Sequence, residues 1–179
     1  MLKFRPIQLF ANLLLGLLLV GCAGPKPSDY ANEKPKLDLK TYFNGTIDAW
    51  GIFQDRNGKI VKRFTVVMKC SWDGNVGTLD EDFTYSDGTT QKRVWTIVKN
   101  GDTFTGTASD VVGQANGITS GNTLNWVYTL NLPVNGTIYE VRFDDWMYLM
   151  DDTTMLNRAV MSKFGFKLGE VLLSFKKRQ

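Results

Sequence analysis

Beyond residue 37, apolar and polar positions alternate with a period of two through most of the chain. Ile60, Phe64, Val66, Met68, Cys70 and Trp72 share one face, with Arg63, Thr65, Lys69 and Ser71 mostly opposite. Further on, Leu124, Trp126, Tyr128, Leu130 and Leu132 share a face against Asn125, Thr129 and Asn131. Period two sustained over this length predicts strands, not helices. Turn dipeptides punctuate the pattern at regular intervals: Asn57-Gly58, Asp73-Gly74, Asp87-Gly88, Asn100-Gly101, Ser120-Gly121 and Asn135-Gly136. Asn-Gly and Asp-Gly adopt the tight backbone of hairpins at little cost. Further breaks fall near Ser109-Asp110, Asp151-Asp152 and Phe164-Gly165. Together they predict strands over 44–54, 59–72, 76–85, 89–99, 102–107, 111–119, 122–132, 136–149, 153–163 and 166–176. Residues 144–163 also admit a helix around Met155–Met161, but both flanks are plainly β, which favours two strands.

A run of hairpins this long predicts an all-β, antiparallel, up-and-down barrel, lipocalin-like, with about 8–10 strands. Closure of a long twisted sheet removes its sticky edges. A barrel of that size encloses room for one small ligand.

The first residues follow a different pattern. Lys3 and Arg5 precede an apolar run from Leu9 to Val20, interrupted by Asn12 and ending in Leu19-Val20-Gly21-Cys22. A basic start, a short apolar stretch and a small residue before a cleavage point describe an export signal. The run is too short for a spanning helix, which needs roughly 20 apolar residues. The tetrapeptide resembles the bacterial lipobox at all four positions. That resemblance implies that residues 1–21 are a lipoprotein signal peptide and that Cys22 is lipidated, anchoring the chain to a membrane. Ala23 after the cysteine implies sorting to the periplasmic face of the outer membrane. Residues 22–36 carry Pro25, Pro27 and Pro35 among small and charged residues and predict a flexible tether, leaving 37–179 as the barrel domain.

Charge and composition mostly exclude. Of 21 Lys and Arg, two lie in the leader, leaving 19 against 18 Asp and Glu. No basic stripe remains, so nucleic acid is not an expected partner. The chain has no histidine, which removes the commonest general base and metal ligand. Ser-His-Asp and Cys-His nucleophiles are thereby excluded. With Cys22 consumed by lipid, Cys70 stands alone and reads as an inert buried thiol. No cofactor, metal site or catalytic residue is expected, and the chain is not read as an enzyme.

Across residues 40–176 the sequence resembles DUF3833, a family of uncharacterised bacterial lipoproteins. The resemblance rests on Gly45-Thr46, Trp50-Gly51, the Asp55-Arg56-Asn57-Gly58 turn, Trp72-Asp73-Gly74 and Arg93 with Trp95. In the C-terminal half it rests on Asp110-Val111-Val112-Gly113, Asp144-Asp145-Trp146-Met147, Asn157-Arg158-Ala159 and Lys163-Phe164-Gly165. It implies a lipocalin-like fold and an association with lipids. A calycin-type arrangement, in which an arginine packs on a tryptophan at the closed end of the barrel, would here use Arg158 and Trp50.

The candidate ligand-binding residues are Asp144, Asp145, Trp146, Arg158 and Trp50. Alternation slips between Tyr139, Val141, Phe143 and the following Trp146, Tyr148, Met150, which predicts a β-bulge at the two aspartates. Arg158 on the next strand is placed to pair with Asp144 or Asp145, either to close the barrel or to take a ligand's carboxylate or phosphate. Glu81 stands between Leu79 and Phe83; facing inward it needs a partner or a raised pKa, and the alternative is an exposed mixed face. Asp82 and Arg93 are expected to form a weak surface pair across the Asp87-Gly88 hairpin. The tryptophans are read mainly as core.

Three functions follow. The leading one is a barrel that holds a hydrophobic or lipid-like ligand. The second is an envelope lipoprotein with a filled barrel that docks a protein partner. The third, an enzyme using Asp144, Asp145 and Glu81 as acid and base, has the weakest signal.

Overall fold

The computed structural model describes residues 24–134 and 136–179. The leader, Cys22 and Ala23 lie outside them, as does Asn135 of the Asn135-Gly136 turn. Ten strands form: β1 Gly45–Asp55, β2 Ile60–Asp73, β3 Val76–Tyr85, β4 Thr90–Asn100, β5 Thr103–Thr107, β6 Ala115–Ser120, β7 Thr123–Val134, β8 Thr137–Leu149, β9 Thr154–Lys163 and β10 Phe166–Lys177. Each strand pairs with its sequence neighbours, and β1 pairs with β10, closing the barrel. The expected boundaries hold within two residues except at β6. There residues 111–114 form a loop laid against β7, with Val111 bridging to Leu130.

Inward positions are apolar because the wall is wet on one side and dry on the other. Phe64, Val66, Met68 and Cys70 of β2 are buried, as are Leu124, Trp126 and Leu130 of β7. The expected bulge at Asp144-Asp145 is absent. Pairing of β7 with β8 runs without a shift from Thr123↔Tyr148 to Val134↔Thr137. Alternation continues through the aspartates, so Val141, Phe143, Asp145 and Leu149 are buried inside while Trp146 and Tyr148 lie on the outer wall. The apparent slip in the sequence reflects aromatic residues on the outside, not a change of phase. Register shifts occur instead at Phe53/Gln54 against β2 and at Lys167/Gly169 against β9.

One end is plugged. A single-turn helix, α1 Leu39–Tyr42, crosses it ahead of β1, capped by Asp38, whose side chain accepts from the Lys40 N–H at 3.0 Å. Leu39, Tyr42 and the following Phe43 are buried. The Tyr42 hydroxyl donates to the Thr153 carbonyl at 3.1 Å, and the Trp72 indole N–H donates to the Phe43 carbonyl at 2.7 Å. The other end is a mouth ringed by the β1–β2, β3–β4, β5–β6, β7–β8 and β9–β10 connections.

The preceding segment is not a free tether. Pro27–Tyr30 forms a 3-10 turn, and the Tyr30 ring packs on Trp146 and Tyr148 at centroid distances of 5.8 and 5.5 Å. The Leu37 N–H donates to the Gly121 carbonyl at 2.8 Å. Two outward aromatics on β8 supply the apolar surface that holds this segment down, which its proline-rich composition alone does not reveal. The sheet has no free edge and the buried core spans Leu37 to Phe175, so residues 24–179 contain a core of their own.

Trp126 fills one side of the barrel because β5 and β6 carry glycine beside it. A Cβ on Gly106 would sit 2.6 Å from the Trp126 ring, and one on Gly117 2.3 Å from it. We expect Gly106→Val to destabilise the barrel by about 1–3 kcal/mol through overpacking. Urea unfolding followed by tryptophan fluorescence measures this, with an unchanged midpoint as the contrary result.

Candidate functional site

The barrel interior holds a cavity of about 160 Å³, lined from the Leu39 and Phe43 plug toward the mouth. Phe64, Phe83, Trp95, Trp126, Phe143 and Leu173 supply much of its wall, and Glu81, Tyr85, Gln91, Arg93, Tyr128, Asp145 and Asn157 are its polar positions. Against roughly 300–1,000 Å³ for drug-sized sites, the space suits a slender or small molecule.

The polar group is built from five strands and one loop. Glu81 of β3 and Arg93 of β4 are directly opposite each other, with Nη1 to Oε2 at 3.9 Å. Arg93 commits its fork to Asp110, on the β5–β6 loop: Nε to Oδ1 at 3.0 Å and Nη2 to Oδ2 at 2.7 Å. Its guanidinium carbon lies 5.4 Å from the centre of the Phe83 ring. Asp110 in turn accepts at its carbonyl from the Asn131 N–H at 2.9 Å, so the loop is fixed to β7 at the mouth. Across the cavity, Asp145 of β8 accepts from the Asn157 side-chain amide of β9 and from the Tyr128 hydroxyl of β7 at 3.4 Å.

Electrostatics set this group apart. Burial pushes the Glu81 carboxyl up to about 7, although Arg93 pulls the other way. Burial also pushes Asp145 up to about 7 against the hydrogen bonds from Asn157 and Tyr128. Burial, then the Asp145 charge, raises the Tyr128 hydroxyl well above its ordinary range. Burial outweighs every other influence on Cys70 and raises its thiol to about 12, as an inert thiol requires. Both acids can therefore carry a proton near neutrality and donate a hydrogen bond, or ionise and accept one.

The expected site residues divide. Asp145 faces the cavity. Asp144, its neighbour, faces out, taking the Asn125 amide at 2.8 Å. Trp146 lies beneath Tyr30 on the outer wall. Arg158 is also outside: it faces Trp146 across β8–β9 but pairs with Glu170 of β10, not with either aspartate. Trp50 is 52% exposed and lines a shallow outer groove with Ile52, Arg63 and Leu172. The calycin-type Arg–Trp contact is therefore not formed: Trp50 belongs to β1 and Arg158 to β9, with β10 between them. Trp95 and Trp126 are core; Trp72 is half-buried.

Arg93, Asp110, Tyr128 and Asn157 are the functional positions that sequence reasoning missed. For Arg93 a signal existed, since Gln91, Arg93, Trp95 and Ile97 share one parity. The expected two-residue turn at Asp87-Gly88 placed Arg93 opposite Asp82. The turn is longer, with the Tyr85 N–H donating to Thr89 and the Gly88 N–H to Tyr85, both at 2.9 Å. That moves the register by one residue and exchanges Asp82 for Glu81, turning a surface pair into an interior one. Lys92 takes the outer partners, Asp80 at 2.6 Å and Asp82 at 3.2 Å.

A family model described as a protein of unknown function, DUF3833, matches residues 16–177. The chain belongs to the DUF3833 family. No curated protein shows significant similarity to it. Among solved structures, the DUF3833 barrel resembles an S-type phycobiliprotein lyase from Guillardia theta at a TM-score of 0.61 and 6% identity, over 87% of this chain and 99% of that one. It also resembles a DUF3598-family protein of unknown function from Nostoc punctiforme, at a TM-score of 0.57 and 12% identity. There 88% of this chain is covered, and it spans about half of the other chain, 53%. At such identities the likeness is one of fold: a closed, lipocalin-like barrel. Among the described residues of the DUF3833 chain, no helix is long and apolar enough to cross a membrane, and no cluster of metal-ligating side chains forms.

Proposed function

We propose that this chain is a binding module, not an enzyme: a lipoprotein anchored through Cys22 on the periplasmic face of the outer membrane. Its barrel would hold a small hydrophobic molecule bearing a neutral or cationic hydrogen-bonding group. The observation that carries the ligand reading is an interior, mostly apolar cavity lined by two buried carboxyl groups, Glu81 and Asp145. An apolar wall with a few convergent polar groups of shifted pKa is the usual form of a small-molecule site. The barrel fold shared with a phycobiliprotein lyase adds support, and the Leu19-Val20-Gly21-Cys22 tetrapeptide supports the anchor.

The charge balance selects the ligand class. Arg93 is the cation among the cavity's polar positions, and its fork is already satisfied by Asp110. A fatty-acid carboxylate would add negative charge beside Glu81 and Asp145 in a poorly solvated space. An amine or a hydroxyl meets them as a donor. Displacement of a bound fluorescent apolar dye tests this at pH 8 with octylamine, octanol and octanoate on the chain from Ala23. Octylamine and octanol are expected to displace dye at lower concentration than octanoate. Equal displacement by all three sinks the charge selection, and failure of the dye and all three to bind sinks the ligand reading. The anchor is checked separately by the intact mass of the mature protein, where Cys22→Ser must lose the acyl groups.

A further inference from the structure

We infer that one arc of the barrel mouth is a docking surface for a lipid bilayer containing anionic headgroups. Strand order brings three hairpin tips side by side: β7–β8, β9–β10 and β1–β2. Each bears exposed apolar side chains. Phe164 is 88% and Phe166 76% exposed on β9–β10, Ile138 is 67% exposed on β7–β8 beside Val134, and Ile60 and Val61 stand exposed on β1–β2. Single exposed apolar residues are ordinary; a contiguous set on adjacent prongs marks an interaction site. The inference is independent of the Cys22 anchor and of what the cavity holds.

The backbone adds a second, unrelated observation. Lys163 and Phe166 are paired, leaving Phe164-Gly165 as a two-residue turn with φ of 52° and 81°. Such turns favour Asn or Asp at the first position, because positive φ is costly for a bulky residue. Among the described residues, Phe164 is the non-glycine residue at positive φ. The chain thus places a phenylalanine where both solvation and backbone conformation oppose it. Neither cost is offset by burial, since the ring is almost fully exposed.

Charge decides the occupant. Lys163 and Lys167 bracket Phe164-Gly165-Phe166, and the Lys163 ammonium lies 4.9 Å from the Phe164 ring centre and 5.7 Å from that of Tyr139. Across the three tips (residues 55–62, 132–140 and 162–170) there are five Lys or Arg against three Asp or Glu; Lys62 pairs with Asp87 and Lys167 with Glu170, leaving Arg56, Lys59 and Lys163 without a carboxylate partner among the described residues. The rest of the mouth, residues 85–90 and 107–115, has no cation of its own and two Asp, which pair with Lys62 and Arg93. Lysine is depleted at protein interfaces, whereas lysines around apolar prongs match a bilayer, where the rings enter the interface and the ammonium groups meet headgroup phosphates. Separate convex tips also suit a soft surface better than a rigid complementary one.

The chain from Ala23 is tested by co-sedimentation with vesicles of phosphatidylcholine, with or without one-third phosphatidylglycerol. Wild type should partition roughly tenfold more strongly onto the anionic vesicles and release as KCl is raised. Phe164→Asn combined with Phe166→Thr should lose at least about tenfold of that partitioning. Phe164→Asn alone should raise the thermal midpoint by roughly 2–4 °C, because it relieves the turn. Ile138→Asn, exposed on a different hairpin, should weaken partitioning as well. Absence of wild-type sedimentation overturns the proposal and leaves the arc to a protein partner. Equal sedimentation on pure phosphatidylcholine, or undiminished sedimentation of both the double variant and Ile138→Asn, overturns it too.

Discussion

Replacing Arg93 with methionine should cost the barrel about 3–5 kcal/mol at pH 8, the largest single-residue loss expected here. The side chain is 13% exposed and sits between Glu81 at 11% and Asp110 at 22%. Removing the cation leaves two largely buried carboxylates facing each other without compensation. It also removes the side-chain tie between β4 and the β5–β6 loop, since Arg93 makes the bidentate contact to Asp110, while the backbone bonds of the loop to β7 remain. The loss should shrink at pH 5, where Glu81 takes up a proton in place of its ion partner. Adding Glu81→Met to Arg93→Met should recover much of the stability, because a buried pair replaced by apolar groups of similar size is often neutral. Urea unfolding of the four members of this cycle gives the coupling directly. Additive losses would show that the two side chains do not act as a pair.

The second large effect is on pH. Glu81 and Asp145 are both raised to about 7 in the folded barrel by burial, against about 4 in an unfolded chain. Between those values the folded state binds more protons than the unfolded one. Stability therefore falls as pH rises: the contribution is complete below about pH 4 and is lost through pH 7. One fully realised shift of this size corresponds to about 4 kcal/mol. With two groups near one another and Arg93 beside one of them, the combined loss should be on the order of a few kcal/mol. The thermal midpoint should be roughly 5–10 °C lower at pH 8 than at pH 5. Glu81→Gln and Asp145→Asn should each flatten the profile and stabilise the barrel at pH 8. Asp87 and Asp151 act in the opposite sense below pH 4, because hydrogen bonds from Thr89 and Thr153 hold their carboxyls low. A midpoint that rises from pH 5 to pH 8 would show that the interior acids are not the controlling groups.

The proposed ligand chemistry and the pH effect share an origin. A cavity that disfavours its own negative charge disfavours a ligand's as well. The same two carboxyls that weaken the barrel at high pH become available as acceptors for an amine there. Ligand binding should therefore offset part of the alkaline loss, which links the displacement experiment to the stability profile.

Strand number, closure and the position of every strand but β6 were legible in the sequence. Alternation is a local property of each strand, and Gly-containing turns mark the places where one strand must give way to the next. Those are short-range constraints, written wherever Phe64, Val66 and Met68 recur at every second position. Cys70 was readable for the same reason, as one more member of an apolar face. The site was not legible in this way. Whether Arg93 faces Asp82 outside or Glu81 inside depends on one residue of turn length, and a one-residue shift reverses every side chain on the strand. Asp144 and Asp145 look equivalent in sequence, yet the pleat sends one to solvent and the other into the cavity. Trp146 suggested a slipped phase because its outer neighbour, Tyr30, is more than a hundred residues away. Arg158 found Glu170 on β10 instead of an aspartate on β8, a choice between two flanking strands that only the closed sheet resolves. Local patterning thus determined that this chain becomes a barrel. Register, parity and strand adjacency, which exist only once distant segments pair, decided which of its charges are inside.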